Sequence, residues 1–169
     1  MKTLKRRLSV FLVILSLHVP VFSQHDHNVA ANVIDGAVHP ELISDITAYR
    51  LFFLVIANGQ SSSDVDEDAR QRAFMRMSGL ADQDVDTALS IANDFKVKYS
   101  QLIEQYNASV LNSNAVSTEA RRNFLAERDA LVQATRHSLA SMLSPQGMQN
   151  VDNYVKAEKR HITAAQEEQ

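Results

Sequence analysis

Apolar residues recur every three or four positions along most of the chain, and this period is typical of helices that pack on one side. The clearest run begins after Asp82 and continues to about residue 111. Its apolar stripe consists of Val85, Ala88, Ala92, Phe95, Tyr99, Leu102 and Tyr106. The spacing is that of a bundle or coiled coil, and it predicts a helix roughly 43 Å long at ~1.5 Å per residue. So narrow a stripe fits either a helix of the same chain or a second copy, which leaves a homodimer open.

Two shorter helices are predicted before the long one. The first begins at Ser44 or Asp45 and ends at Gly59, and its second half is apolar on every side, which predicts deep burial. The second runs from about Asp64 to Ser78, and the acidic residues of its first turn suit the helix dipole. Its predicted apolar stripe is Val65, Ala69, Ala73, Met77 and Leu80.

Two helices are predicted after the long one. The fourth begins at Ser117 or Thr118, and the short connection before it implies an antiparallel hairpin with the third. Its predicted buried side is Phe124, Leu125, Leu131, Val132, Leu139, Met142 and Leu143. Ser144 and Pro145 open a fifth helix, whose stripe is Met148, Val151, Tyr154, Val155 and Ile162. The predicted fold is all-α, with four to five helices in a bundle or an extended antiparallel hairpin built on helices three and four.

The first 23 residues have the features of a secretory signal peptide. The basic start is formed by Lys2, Lys5, Arg6 and Arg7. An apolar run from Leu8 to Leu17 follows, and Pro20 precedes a plausible cleavage site after Ser23. Because the run is too short to span a bilayer comfortably, we expect it to be removed and the mature protein to be periplasmic or secreted.

The mature chain divides into three predicted parts. Residues 24–40 are polar and contain a turn signal at Asp35-Gly36, which predicts a flexible or loosely docked arm. Residues 41–165 carry the helical pattern and form the predicted domain. Residues 166–169 are polar and are expected to be a disordered tail. No second apolar run approaches membrane length, so we expect no membrane span after processing.

Composition narrows the possible functions. Residues 1–23 hold four of the 17 Lys and Arg and none of the 20 Asp and Glu, so the mature chain has a net charge of −7. This acidic balance argues against nucleic acid as a partner, since phosphate binding needs clustered cations. The chain has no cysteine, which excludes a disulfide framework, a thiol nucleophile, a thiolate zinc site, a lipid-modified cysteine and covalent c-type haem. The domain must therefore be held together by packing.

The predicted mature N-terminus offers a metal site. Cleavage after Ser23 leaves a chain that begins Gln24-His25-Asp26-His27. A terminal amine, deprotonated amides and an imidazole close in sequence suit Cu(II) or Ni(II), which favour tetragonal nitrogen ligands. His25 and His27 are the candidate ligands. The alternative is a solvated tail in which the histidines bind nothing, and cyclisation of Gln24 would remove the amine.

Haem binding and catalysis have weaker support. Met75, Met77, Met142 and Met148 offer thioethers, and His137 and His161 offer imidazoles, for non-covalent haem in an exported bundle. Methionines at helical spacing more often fill gaps in a core. His137 fits a surface position, and His161 fits a partly buried or dipole-pairing position near the end of a helix. No Gly-rich phosphate loop, nucleophile elbow or His-Glu metal spacing occurs. We therefore expect a protein that is not an enzyme, with an uncharacterised periplasmic enzyme or a haem-binding bundle as the alternative.

Basic residues of two helices form a candidate interaction surface. They are Arg70, Arg72 and Arg76 on the second helix, and Arg121, Arg122 and Arg128 on the fourth. Together they would make a cationic surface on an otherwise acidic protein. The alternative is that they pair with neighbouring acidic residues such as Glu119, Glu127 and Asp129.

Two predicted helix starts resemble a known motif. Leu80-Ala81-Asp82-Gln83 and Leu143-Ser144-Pro145-Gln146 look like degenerate forms of Leu-Thr-x-x-Gln, with no Thr second and with Asp84 and Gly147 at the fifth position. The motif marks the LTxxQ family of small periplasmic proteins, which includes stress chaperones and metal-responsive adaptors. The resemblance implies that unfolded clients bind a concave, often basic, dimeric cradle. The arginine-bearing faces and exposed apolar residues of helices two to four would then be the client surface.

These observations favour an exported helical protein that acts by protein–protein interaction, as a chaperone or an adaptor. Its expected partner is another protein or an unfolded client. A metal-binding module that uses the N-terminal histidines is the alternative.

Overall fold

The structure is a computed structural model that describes residues 33–57, 67–113 and 117–165. Its helices are α1 Asp45–Ala57, α2 Glu67–Met77, α3 Asp82–Ser113, α4 Thr118–Met142 and α5 Pro145–Glu158. Two short strands, β1 Val33–Asp35 and β2 Thr163–Ala165, form the remaining regular structure in these ranges apart from two single 3₁₀ turns. The all-α prediction is confirmed, and the long helices α3 and α4 pack against each other as expected. In the ranges that the structure describes, no helix combines the length and the apolar character needed to cross a membrane.

The core lies where α1 packs on the first half of α3 and the second half of α4. Phe53 of α1 and Phe95 of α3 meet at its centre, with ring centroids 5.1 Å apart, and Phe95 is 0 % exposed. Val132 of α4 and Val151 of α5 are also fully buried. The heptad prediction for α3 therefore holds through Phe95, because this half of the stripe faces α1 and α4 of its own chain.

The prediction that α1 is deeply buried holds for one of its faces and not for the other. Tyr49, Phe53 and Ile56 are buried, but Leu51 and Val55 are exposed to solvent. The reason is that α1 lies against the other helices on one side only, so its far face has no neighbour in the described part of the chain.

The apolar stripe predicted for α2 was wrong at most of its positions, although Leu80 is buried as predicted and Val65 lies outside the described residues. Ala69 and Ala73 are exposed, and Met77 is 65 % exposed, whereas Met75 is buried. The ring of Phe74 packs against other aromatic rings of the core, so α2 turns Phe74 and Met75 inward and leaves the alanines and Met77 outside. Each face buries one methionine at most, and burying an aromatic ring removes more apolar area from water than burying two alanine methyl groups.

The predicted starts of α4 and α5 are confirmed by their caps. The Ser117 hydroxyl accepts a hydrogen bond from the Ala120 amide at 3.0 Å, and the Ser144 hydroxyl accepts one from Gly147 at 3.0 Å. Pro145 occupies the first turn of α5, as expected. Met142, which was predicted to be buried, is 62 % exposed, because it is the last residue of α4 and Leu139 and Leu143 fill the adjacent core.

Part of the predicted flexible arm is ordered. Residues 33–35 form β1, which pairs antiparallel with β2, so that Val33 lies opposite Ala165. The Gly36 amide donates to the Ile162 carbonyl at 2.9 Å, and a Cβ at Gly36 would lie 2.0 Å from the Lys159 carbonyl oxygen. Ile162 is buried as predicted, but it follows the end of α5 in extended chain. The arm docks by forming a strand pair with β2, and helical periodicity does not predict such a pair.

Several predictions lie wholly or partly outside the described residues. They are the signal peptide at 1–23, the first part of the arm at 24–32 with His25 and His27, the end of the first helix at Gly59, the start of the second helix at Asp64 with Val65, and the tail at 166–169.

Candidate functional site

The helices α3 and α4 extend beyond the hydrophobic core. The core and the apolar side chains packed on it include no residue of α3 after Tyr99 and none of α4 before Leu131, among those described. Residues 100–113 and 117–130 therefore form a two-helix projection, which we call the distal hairpin. At ~1.5 Å per residue each arm is about 21 Å long.

Apolar side chains join the two arms of the distal hairpin. The rings of Tyr106 and Phe124 stack with centroids 4.6 Å apart and fix the register between α3 and α4. The remaining half-buried apolar side chains include Leu102, Ile103, Val110 and Leu125. They stay half-buried because each arm has a single neighbour among the described residues, and an apolar stripe in a bundle needs two or three. The distal hairpin thus presents apolar surface that the rest of residues 33–57, 67–113 and 117–165 does not cover.

Charged side chains on the distal hairpin differ in their pairing. Arg121 and Arg122 are exposed, and neither makes an ion pair within the described ranges. Arg128, which was predicted to belong to the cationic surface, is only 6 % exposed, and its guanidinium donates to Asp129 Oδ1 at 2.8 Å. A buried, paired guanidinium acts in packing, so Arg128 is not part of an exposed surface.

The remaining predicted arginines belong to α2 and lie beside the first turns of α3, far from the distal hairpin. Arg72 pairs with Asp86 at 2.6 Å and Arg76 with Asp82 at 2.8 Å, while Arg70 is half-buried. The Tyr106–Phe124 register places Arg121 level with residue 109 of α3. The two groups are therefore separated by roughly 35 Å along the helix, and they do not form one surface.

The predicted metal and haem residues occupy different environments where the structure describes them. His25 and His27 lie outside it, so the copper or nickel site remains a prediction. His137 is exposed, as expected, and His161 lies 3.2 Å from Glu158 at the end of α5. Among the described residues, no three His, Cys, Asp or Glu side chains are grouped to hold a metal ion. Met75 is buried in the core, where it fills space.

A polar cluster that sequence reasoning missed ties α1, α4 and α5 together. The Tyr49 hydroxyl donates to Asp152 Oδ1, and Arg136 Nη2 donates to the same oxygen at 3.1 Å. The Arg136 guanidinium also lies 4.7 Å from the centre of the Tyr49 ring. Burial, followed by the hydrogen bond to the Asp152 carboxylate, raises the pKa of Tyr49. No local pattern signals these contacts, since the three residues lie on three different helices.

We expect Tyr49→Phe to lower the free energy of unfolding by about 1–2 kcal/mol at neutral pH, because it removes a hydrogen bond to a carboxylate. The pKa of Tyr49 is raised in the folded state, so its stabilisation is complete below the usual tyrosine value near 10 and is lost as pH rises further. The difference between wild type and variant should therefore shrink above pH ~10. Urea unfolding at neutral and alkaline pH measures it, and a constant difference would contradict this assignment.

The two stretches that resemble the Leu-Thr-x-x-Gln motif meet in the structure. Asp84 Oδ1 accepts from the Ser144 amide at 3.1 Å, and Oδ2 accepts from the Ser144 hydroxyl at 2.5 Å. Leu80 and Leu143 are both buried beside this joint. Because Asp84 is itself only 6 % exposed, the joint fixes the start of α5 on the start of α3 and offers no open binding site.

No protein-family model, curated protein or solved structure matches the chain. The function is therefore argued from the geometry of the described residues.

Proposed function

We propose that this protein is exported and acts by binding other proteins, as a periplasmic or secreted chaperone or adaptor, with the distal hairpin as its contact surface. The observation that carries this proposal is that α3 and α4 continue beyond the core and leave their apolar stripe half covered. The proposed location rests on the basic and apolar pattern of residues 1–23.

The surface of the distal hairpin suits a protein partner. Half-buried apolar side chains such as Leu102 and Leu125 share the hairpin with exposed charges such as those of Arg122 and Glu127. A partner segment with its own apolar stripe would bury the uncovered area, which contributes about 25 cal/mol for each Å² removed from water. Exposed charges at the margin favour association rates and orientation more than affinity.

Site-specific photo-crosslinking tests the contact surface. A photoreactive amino acid at Gln105, which is exposed on the distal hairpin, should capture other proteins in the exported fraction. The same group at Asn153, which is exposed on α5, serves as the matched control and should capture far less. Equal capture at both positions, or no capture at either, would contradict the proposal.

An aggregation assay tests the chaperone form of the proposal. The purified protein should suppress aggregation of an unfolding client at substoichiometric ratio, and Leu102→Ser with Leu125→Ser should reduce suppression about tenfold by removing apolar contact area. Val55→Ser, at an exposed apolar site on α1, is the control and should leave suppression unchanged. Full activity in the hairpin variant would exclude the distal hairpin as the client surface, while crosslinking without suppression would favour an adaptor.

A further inference from the structure

We infer that one partner of the distal hairpin is a second copy of this chain, whose α4 packs antiparallel against α4 along the edge formed by Arg122, Leu125 and Asp129. We infer this on the basis of the proposed function, because the distal hairpin must first be a contact surface. The three residues share one side of α4, since they are three and four residues apart.

The charges on this edge are self-complementary. Arg122 is exposed and makes no ion pair in the described ranges. Asp129 Oδ1 accepts a hydrogen bond from the Arg128 guanidinium, and no residue in the described ranges pairs with Asp129 Oδ2. A two-fold axis beside Leu125 would place Arg122 of each copy level with Asp129 of the other, which forms two equivalent ion pairs. A parallel arrangement would instead set Arg122 against Arg122 and Asp129 against Asp129.

The apolar side chains on this side of the hairpin also favour a second copy of the chain as the partner. Leu125 lies at the centre of the edge and is half-buried, as is Ile103 of α3. Helical geometry on either side of the Tyr106–Phe124 stack sets Ile103 and Leu125 on the same side of the hairpin. Leu111, near the tip, is 77 % exposed. A second hairpin in antiparallel orientation contributes the same apolar residues to the contact. The two hairpins then form a four-helix body, in which each apolar stripe gains the neighbours that it lacks in one chain.

The size of the contact sets its expected strength. Two helices about 21 Å long and ~10 Å wide offer a face on the order of 500 Å² per copy. A total of about 1,000 Å² is at the low end for specific interfaces, so we expect a dissociation constant in the micromolar range. One side of each hairpin remains uncovered and open to another protein.

Single cysteines test the arrangement directly, because the chain has none of its own. Leu125→Cys lies next to the inferred axis, so mild oxidation should link two copies through a disulfide. Thr118→Cys is the matched control on the same edge. In the antiparallel arrangement it lies far from its counterpart and should stay unlinked, whereas a parallel pair would link both. Adding Arg122→Glu to Leu125→Cys should lower the yield about tenfold, since it sets like charges opposite Asp129.

Analytical ultracentrifugation of the unmodified protein completes the test and should show a dimer that dissociates on dilution. A strictly monomeric protein overturns the inference, as does a disulfide yield at Thr118→Cys equal to that at Leu125→Cys, or a yield unaffected by Arg122→Glu. If the protein is monomeric while the Gln105 crosslinker still captures other proteins, the inference fails and the proposed function stands. If both experiments are negative, both fail.

Discussion

Replacing Phe95 by alanine is expected to lower the free energy of unfolding by about 3–5 kcal/mol. Phe95 is completely buried, and its ring lies 5.1 Å from Phe53 and 5.3 Å from Tyr99 between centroids. Truncation therefore removes both the transfer energy of the ring and its aromatic contacts, and it leaves a cavity between α1 and α3. Urea unfolding followed by circular dichroism at 222 nm, the usual helix signal, measures the loss.

Phe124→Ala is the matched control, since it removes the same ring from the distal hairpin. Phe124 is half-buried and contacts Tyr106 outside the core, so the expected loss is only about 1 kcal/mol. Equal losses at Phe95 and Phe124 would mean that the hairpin is as much a part of the core as α1. That result would remove the main support for a contact surface there.

Asp84→Ala is expected to cost about 2–4 kcal/mol of unfolding free energy. Its buried carboxylate accepts hydrogen bonds from the amide and the hydroxyl of Ser144. Without it, the first turn of α5 loses its attachment to α3 and leaves buried donors unsatisfied. Asp86→Ala is the control on the same turn of α3, where an exposed ion pair with Arg72 contributes about 0–1 kcal/mol. Similar effects at both positions would refute the structural role of Asp84.

Gly147→Ala tests the same joint from its other side. A Cβ at Gly147 would lie 2.3 Å from Asp84 Oδ2, so the methyl group must push the carboxylate away from Ser144. In the double variant with Asp84→Ala that obstacle is gone, and alanine is otherwise favoured over glycine in a helix by about 1 kcal/mol. The two losses should therefore be clearly less than additive in a double-mutant cycle. Simple additivity would show that the two residues do not interact.

Helix positions were predictable because their signals are local. Ser117 and Ser144 cap α4 and α5 as expected, and the stripe of α3 is buried through Phe95. The inward face of α2 was not predictable in the same way. The face of α2 that carries Ala73 and Met77 and the face that carries Phe74 and Met75 are both compatible with a helix. The packing of Phe74 against aromatic rings of α1 and α5 decides that the second face turns inward.

The candidate site was less accessible to sequence reasoning. The six arginines were correctly placed on α2 and α4, but their separation depends on the antiparallel register that the Tyr106–Phe124 stack sets. The burial of Arg128 likewise depends on tertiary packing, which its position in the sequence does not reveal. The contact between Tyr49 and Asp152 joins residues more than a hundred positions apart, and no periodicity encodes it.

The pairing of β1 with β2 also limits when folding of the domain can finish. Val33 can pair only after Ala165 has been synthesised. Because the two residues lie at opposite ends of the described domain, their contact closes nearly all of it into one loop. Loop closure over such a distance is slow compared with the formation of a helical hairpin from adjacent segments. A chain that emerges amino end first from a ribosome or a translocation channel must therefore keep β1 unpaired until residues 163–165 have also emerged.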